Sequence, residues 1–299
     1  MIPIPSQRPQ RPHSDEWKYL LFLAPGLLLL IVFFYIPSVS AILYSFFDWD
    51  GHQKIFVGLE NFQEMARDPV LRDGFRNLAV YLICALIVGN VVPLVVAELI
   101  FNLRSERHRR FYQSAFLVTG LVPAIVGMLI WQFIFDPYMG PLNALLPVFG
   151  FDKMDILWLA DPKLAIYCLI LIGFPWVAGT SVLIILSGLN GIPGSILDYC
   201  RLEGIGAFRR FFTLDIFFLA GQMRLLLITG FIGLMQAFGL QLILTQGGPG
   251  TSTMVPGYHM YINAFSYDRL GYASAIGLLI AIVILIFTLL TLRYFKPAR

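Results

Sequence analysis

The chain has 299 residues, of which 58% are hydrophobic, 15% aromatic and only 13% charged. Soluble domains run at about 45–50% apolar and about 25% charged, so a water-soluble globule is excluded and lipid must be the main solvent. The formal net charge of +3 is too small to mark a nucleic-acid partner, which needs a concentrated basic face.

Six apolar stretches, at about 18–47, 78–101, 111–135, 164–187, 216–244 and 272–294, each reach the roughly 20 residues that a helix needs to cross a hydrocarbon core of about 30 Å. The expected fold is all-α, a polytopic membrane protein with six transmembrane helices. The first stretch follows Arg8, Arg11 and Lys18 and is far longer than the roughly 7–15 apolar residues of a signal-peptide core, so it reads as a retained span. The chain then divides into a cytoplasmic tail (1–17), a first transmembrane helix with an outer-surface amphipathic segment (18–77), a transmembrane domain (78–294) with a patterned segment at 190–215, and a second cytoplasmic tail (295–299).

Six spans put both termini on one side. The termini and the two even loops carry thirteen Lys and Arg, and the three odd loops carry seven. Because basic residues are retained inside, both termini are expected in the cytoplasm. Trp17, Trp49 and Trp158 fall near span ends, where indoles favour the headgroup layer. Between 48 and 77, Phe56, Leu59, Phe62 and Met65, then Leu71, Phe75 and Leu78, recur at helical spacing and predict short amphipathic helices on the outer surface. Pro93, Pro123 and Pro175 are expected to break their spans.

The cytoplasmic segment between the fourth and fifth spans is too long and too patterned for a simple connection. Pro193 and Gly194 are expected to stop the incoming helix, and Ser195 with Asp198 three residues later has the form of a capping box opening a new one. Leu197, Cys200, Phe208 and Phe211 leave an apolar stripe beside Asp198, Arg201, Arg209 and Arg210. Gly204 and Gly206 should bend the helix and permit close approach by another backbone. A short helix, a glycine turn and a second short helix make a compact knob outside the membrane.

This segment resembles the cytoplasmic EAA motif of the membrane-spanning permease subunits of bacterial ABC importers, matched here by Asp198-Tyr199-Cys200-Arg201-Leu202-Glu203-Gly204-Ile205. It differs in Asp for Glu at 198, Tyr-Cys for Ala-Ala at 199–200, Glu for Asp at 203, Ile for Ala at 205, and Phe217 in place of a proline. Three further stretches resemble the sugar-permease branch: Leu23-Ala24-Pro25 to Tyr35-Ile36-Pro37 with Ser45-Phe-Phe-Asp-Trp-Asp50 and Val57-Gly-Leu-Glu-Asn-Phe62; Leu244-Thr245-Gln246-Gly247-Gly248-Pro249; and Gly271-Tyr272-Ala273-Ser274-Ala275. The resemblance covers about residues 20–295. It implies the type I ABC importer fold with a cytoplasmic coupling helix, and an ATP-driven permease forming half of a pathway for a sugar or oligosaccharide, with Asp198, Arg201, Glu203, Gly204 and Gly206 in ATPase coupling. The implied partners are a second permease subunit, two ATP-binding subunits, an extracytoplasmic solute-binding protein and the bilayer of the bacterial inner membrane.

Within the spans, Glu98 and Arg224 are the only formal charges, and both lie close enough to cytoplasmic ends to snorkel. Trp176, Thr229, Gln236 and Gln241 lie deeper and offer the ring face and amides that a sugar needs; helix packing and interhelical hydrogen bonds explain them equally well. No G-x-x-x-x-G-K-[ST] occurs, nor any Gly-Lys pair, so any ATP must be hydrolysed by another chain. Neither a cofactor nor a metal is expected: Cys84, Cys168 and Cys200 form no metal spacing, and His13, His52, His108 and His259 fall in tails or loops without HExxH. Glycerol phosphate as the solute, or an autonomous secondary carrier, stays open as an alternative.

Overall fold

The computed structural model describes residues 16–150 and 156–295. Arg8, Arg11, the side chains of Trp17 and Lys18, Lys153 and residues 296–299 lie outside the described set, and with them both tails on which part of the charge count rests. Helix α1 (Glu16–Leu30) passes through a π-helical turn (Ile31–Tyr35) into α2 (Ile36–Tyr44). Pro37 sits at the start of α2, and a ring that cannot donate and crowds the carbonyl four residues back accounts for the widened turn before it. The Leu21–Tyr44 span buries no residue of its apolar window within the chain; its C-terminal part, α2, packs on the last helix.

A hairpin of β1 (Phe47–Trp49) and β2 (Lys54–Phe56) follows, Phe47 opposite Phe56, so Phe56 lies on a strand rather than on the amphipathic helix expected there. Asp50 closes its turn by accepting the N–H groups of His52 and Gln53 at 2.8 and 2.7 Å. These bonds, that of Gln53 foremost, hold its carboxyl below the usual range. The Asn61 amide on α3 (Glu60–Arg67) donates to the carbonyls of Ser45 and Phe47, both at 2.9 Å, which ties this short helix to the C-terminal end of the first span.

The second span, α4 (Pro69–Phe101), begins nine residues earlier than its apolar run: Leu71, Phe75 and Leu78 are its first turns, not a surface helix. Its 33 residues give a rod of about 50 Å. Pro93, expected to break it, is buried within a continuous helix. The third span is broken where Pro123 stands, into α5 (Glu106–Thr119) and α6 (Ala124–Ile134), bent by 82°. After α7 (Pro141–Leu145) and a 3₁₀ turn (Leu146–Phe149), the fourth span is likewise divided, into α8 (Ala165–Leu171) and α9 (Gly179–Asn190). Then come α10 (Gly194–Leu202), α11 (Ala207–Arg210), a second π turn (Phe211–Asp215), α12 (Ile216–Phe218), α13 (Ala220–Gln236), a third π turn (Gln241–Thr245), α14 (Pro256–Phe265) and α15 (Leu270–Tyr294). Four helical segments are long and apolar enough to cross a membrane unaided, and the bent pairs bring the total to as many as six. The pair α9–α10, bent by 76°, joins an apolar helix half buried in the bundle to one that carries exposed Asp198 and Arg201.

Two apolar clusters hold the bundle. One joins Leu71, Leu78, Leu169, Phe231, Tyr258 and Ile276 of α4, α8, α13, α14 and α15. The other joins Ala97, Ile100, Val182, Leu189, Leu219 and Leu226 at the far end of α4 with α9 and the start of the fifth span. Gly271 explains part of the last motif: a β-carbon there would collide with the Phe47 carbonyl oxygen, so only glycine lets α15 start against the hairpin.

Candidate functional site

Helix α10 is amphipathic. Ile196 and Leu197 pack onto the second cluster and Cys200 is buried with them, while Asp198, Tyr199, Arg201 and Leu202 face outward. It opens at Gly194 behind Pro193 with no side-chain cap, so the expected Ser195–Asp198 capping box does not form. Asp198 instead pairs with Arg201 at 2.8 Å, both side chains well exposed, a contact worth about 0–1 kcal/mol. The incoming helix ends at Asn190, before Pro193.

Gly204 closes α10. Its φ is +68°, its N–H donates to Arg201 O at 3.2 Å, and Ile205 N donates to Cys200 O at 2.8 Å, the paired bonds of a Schellman stop that favours glycine at that place. Glu203 is the C-cap residue and exposed. Gly206 has an ordinary extended backbone, φ −68° and ψ 161°. The expected continuous apolar stripe is divided: Leu197 and Cys200 face the bundle, whereas Leu202 is 87% and Phe208 80% exposed, with Tyr199 and Phe212 exposed beside them. Tyr199, Leu202, Phe208 and Phe212 thus gather as exposed apolar side chains around a polar turn.

Beneath the knob lies a charged joint that sequence reasoning missed. Arg210 Nε donates to Asp215 Oδ2 at 2.9 Å and Oδ1 at 3.2 Å, and Nη2 to Asn102 Oδ1 at 3.0 Å; Glu98 Oε2 lies 3.9 Å away. Glu98 is therefore buried in a network rather than snorkelling, and Arg210 is more than a membrane anchor. The π turn makes this possible, since a five-residue loop brings Arg210 and Asp215 to one face. The sequence signal was Asp215 itself, a lone acid between Leu214 and Ile216. Arg224 reaches the Phe295 carbonyl at 3.2 Å.

The four polar candidates within the spans do not converge. Thr229 bonds its own helix at Leu225 O, 2.9 Å, and lines a cavity of about 330 Å3 with Asn90 and Ser181. Gln236 lines another, of about 350 Å3, with Gly257, Met260 and Gly277. Gln241 is buried. Trp176 stands in the break between α8 and α9 at φ +56°, its indole N–H donating to Ile170 O at 3.0 Å.

At the opposite end, His259 is not on a loop but buried on α14. Its Nε2 lies 2.7 Å from Asp68 Oδ2, which also accepts from the Tyr272 hydroxyl at 2.7 Å; Oδ1 caps α4 at Val70 N and Leu71 N. Burial pushes the Asp68 carboxyl up, but the bonds from Tyr272, Leu71 and His259 outweigh it and hold it below its ordinary 3.8. The folded state thus binds this proton less readily than the unfolded chain, so its contribution is complete above the ordinary carboxylate range and is lost as pH falls below it. Acid melting curves should show this loss in the parent and a flatter acid limb in Asp68→Asn; identical limbs would rule it out.

No protein-family model matches the chain. It is 28% identical over 305 residues to the diacetylchitobiose uptake system permease protein NgcF of Streptomyces coelicolor, covering 96% of this chain and 86% of that one. It is 27% identical over 284 residues to the arabinooligosaccharides transport system permease protein AraP of Bacillus subtilis, covering 94% and 89%. Among solved structures, a chain of the bacterial alginate ABC transporter in complex with an alginate pentasaccharide-bound periplasmic protein superimposes with a TM-score of 0.82 at 17% identity, over 96% of this chain and 98% of that one.

Proposed function

We propose that the chain is a membrane-spanning permease of the ABC importers and that it forms half of the pathway for a sugar or oligosaccharide delivered by an extracytoplasmic binding protein. A second permease supplies the other half, and two ATP-binding chains supply the energy. The observation that carries this reading is the knob: Tyr199, Leu202 and Phe208 exposed around the Gly204 turn, on a segment anchored to two spans. Asp198, Arg201, Glu203, Gly204 and Gly206 belong to the docking surface, closure of the ATPases on ATP moves it, and the bundle alternates between inward and outward access. Trp176, Thr229, Gln236 and Gln241 are candidates for the path. The sugar assignment draws support from NgcF and AraP.

The purified transport-active assembly should contain a second permease and two ATPase subunits by mass measurement; ATP-driven transport by this chain alone would refute the reading. We also infer that both termini and 188–215 face the cytoplasm of an inner membrane, and that 48–77, 136–163 and 245–271 face outside. In an otherwise cysteine-free variant, Gly206→Cys should react only with reagents that reach the cytoplasm; labelling from outside intact cells would reverse the topology.

A further inference from the structure

We propose that Arg210 is a positioning residue that transmits movement of the coupling knob to the second span, with Asp215 as its counter-ion and Glu98 as a second acceptor; the inference rests on the transport reading above. Arg210 belongs to α11, on the knob. Asp215 closes the π turn that opens the fifth span, and Glu98 and Asn102 stand at the end of α4. One guanidinium therefore joins three elements, and it also lies 5.2 Å from the centre of the Phe101 ring.

The joint is buried: the Arg210 side chain is 14% exposed, that of Asp215 0%. Apolar helix faces can slide past one another at little cost, but a buried carboxylate cannot be left without its cation. When the knob shifts, Arg210 cannot retreat to water without abandoning Asp215, so α4 must follow or Arg210 must find a second acceptor. Glu98 is that acceptor. Its Oε1 is buried with no hydrogen-bond partner among the described residues, Oε2 accepts from the Asn102 amide at 3.2 Å, and the 3.9 Å separation of Oε2 from Arg210 needs to shorten by only about 1 Å to become a hydrogen bond from the guanidinium. The neighbouring Arg209 is exposed and has none of these contacts among those described.

The test uses the complete assembly in liposomes, measuring ATPase co-purification and solute transported per ATP hydrolysed. Arg210→Lys keeps the charge but cannot hold Asp215 and Asn102 together. The combined Glu98→Gln, Arg210→Gln, Asp215→Asn variant removes all three ionisable groups at once, which spares the fold an unpaired buried ion. Both should assemble with the ATPases and retain solute-stimulated hydrolysis, while solute moved per ATP falls roughly 5–30-fold. An unchanged ratio in the neutral variant overturns the inference. So does loss of assembly in both variants, which would make the joint a folding element only. A parent assembly that never contains an ATPase overturns the transport reading beneath it.

Discussion

Gly204→Val is expected to reach the membrane at parental levels and yet to lose the ATPase from the purified assembly, or to abolish solute-stimulated hydrolysis. A β-carbon at 204 meets no atom within 4 Å, so the penalty is conformational. The +68° backbone costs an ordinary L-residue about 1–2 kcal/mol, and a β-branched side chain is stiffer still. The chain escapes that cost by ending α10 differently, which turns Leu202 and Phe208 away from their present places. Asn, which visits the left-handed region readily, should largely preserve coupling at 204, and Gly206→Ala should leave the turn itself unstrained because position 206 has an ordinary backbone. Glu203→Ala should weaken coupling only slightly, as an exposed pair is worth about 0–1 kcal/mol. Parental ATPase retention and transport in Gly204→Val would remove this turn from the coupling mechanism. Failure of Asn alongside Val would shift the explanation from backbone conformation to a partner surface that tolerates no side chain.

Gly271→Val should be the most damaging single change on the opposite face. The backbone of Phe47 and Trp49 crosses the start of α15 so closely that any β-carbon collides with a carbonyl oxygen, and backbone cannot rotate away as a side chain can. Overpacking of this kind costs about 3 kcal/mol and should separate the hairpin, with the first span behind it, from the bundle. Thermal unfolding in detergent should show a clearly lowered midpoint and protease access to the 50–53 turn. Unchanged melting would mean that the hairpin is not held against α15.

The crossings were readable because lipid imposes a simple composition rule, which Leu21–Tyr44 and Leu270–Tyr294 satisfy along their whole length. Their interruptions were only partly readable. A proline is visible in sequence, but whether it breaks a helix depends on what can satisfy the freed carbonyl: Pro93 sits inside an unbroken α4, and Pro123 divides the third span. The knob was legible through Gly204, whose stop chemistry is local. Asp198 misled because the capping box is also local, and the helix starts two residues earlier than that box requires, at Gly194 behind Pro193, so that Ser195 fell inside the first turn. Arg210, Asp215, Glu98 and Asn102 could not be linked from sequence, since positions more than a hundred residues apart meet only through packing. The same is true of Asp68, His259 and Tyr272.

The interruption of the fourth span carries a consequence for where water must be. Between Leu171 and Gly179 the chain leaves the helix, and Gly173, Phe174 and Pro175 lie open on the surface of the isolated subunit. Hydrocarbon offers no hydrogen bonds, so wherever such a break lies at membrane depth its released amide groups survive only against protein or an aqueous passage. A break at that depth excludes acyl chains from its seven residues of irregular backbone, whereas Leu21–Tyr44, which keeps its helical bonds throughout, is free to meet fatty acid tails.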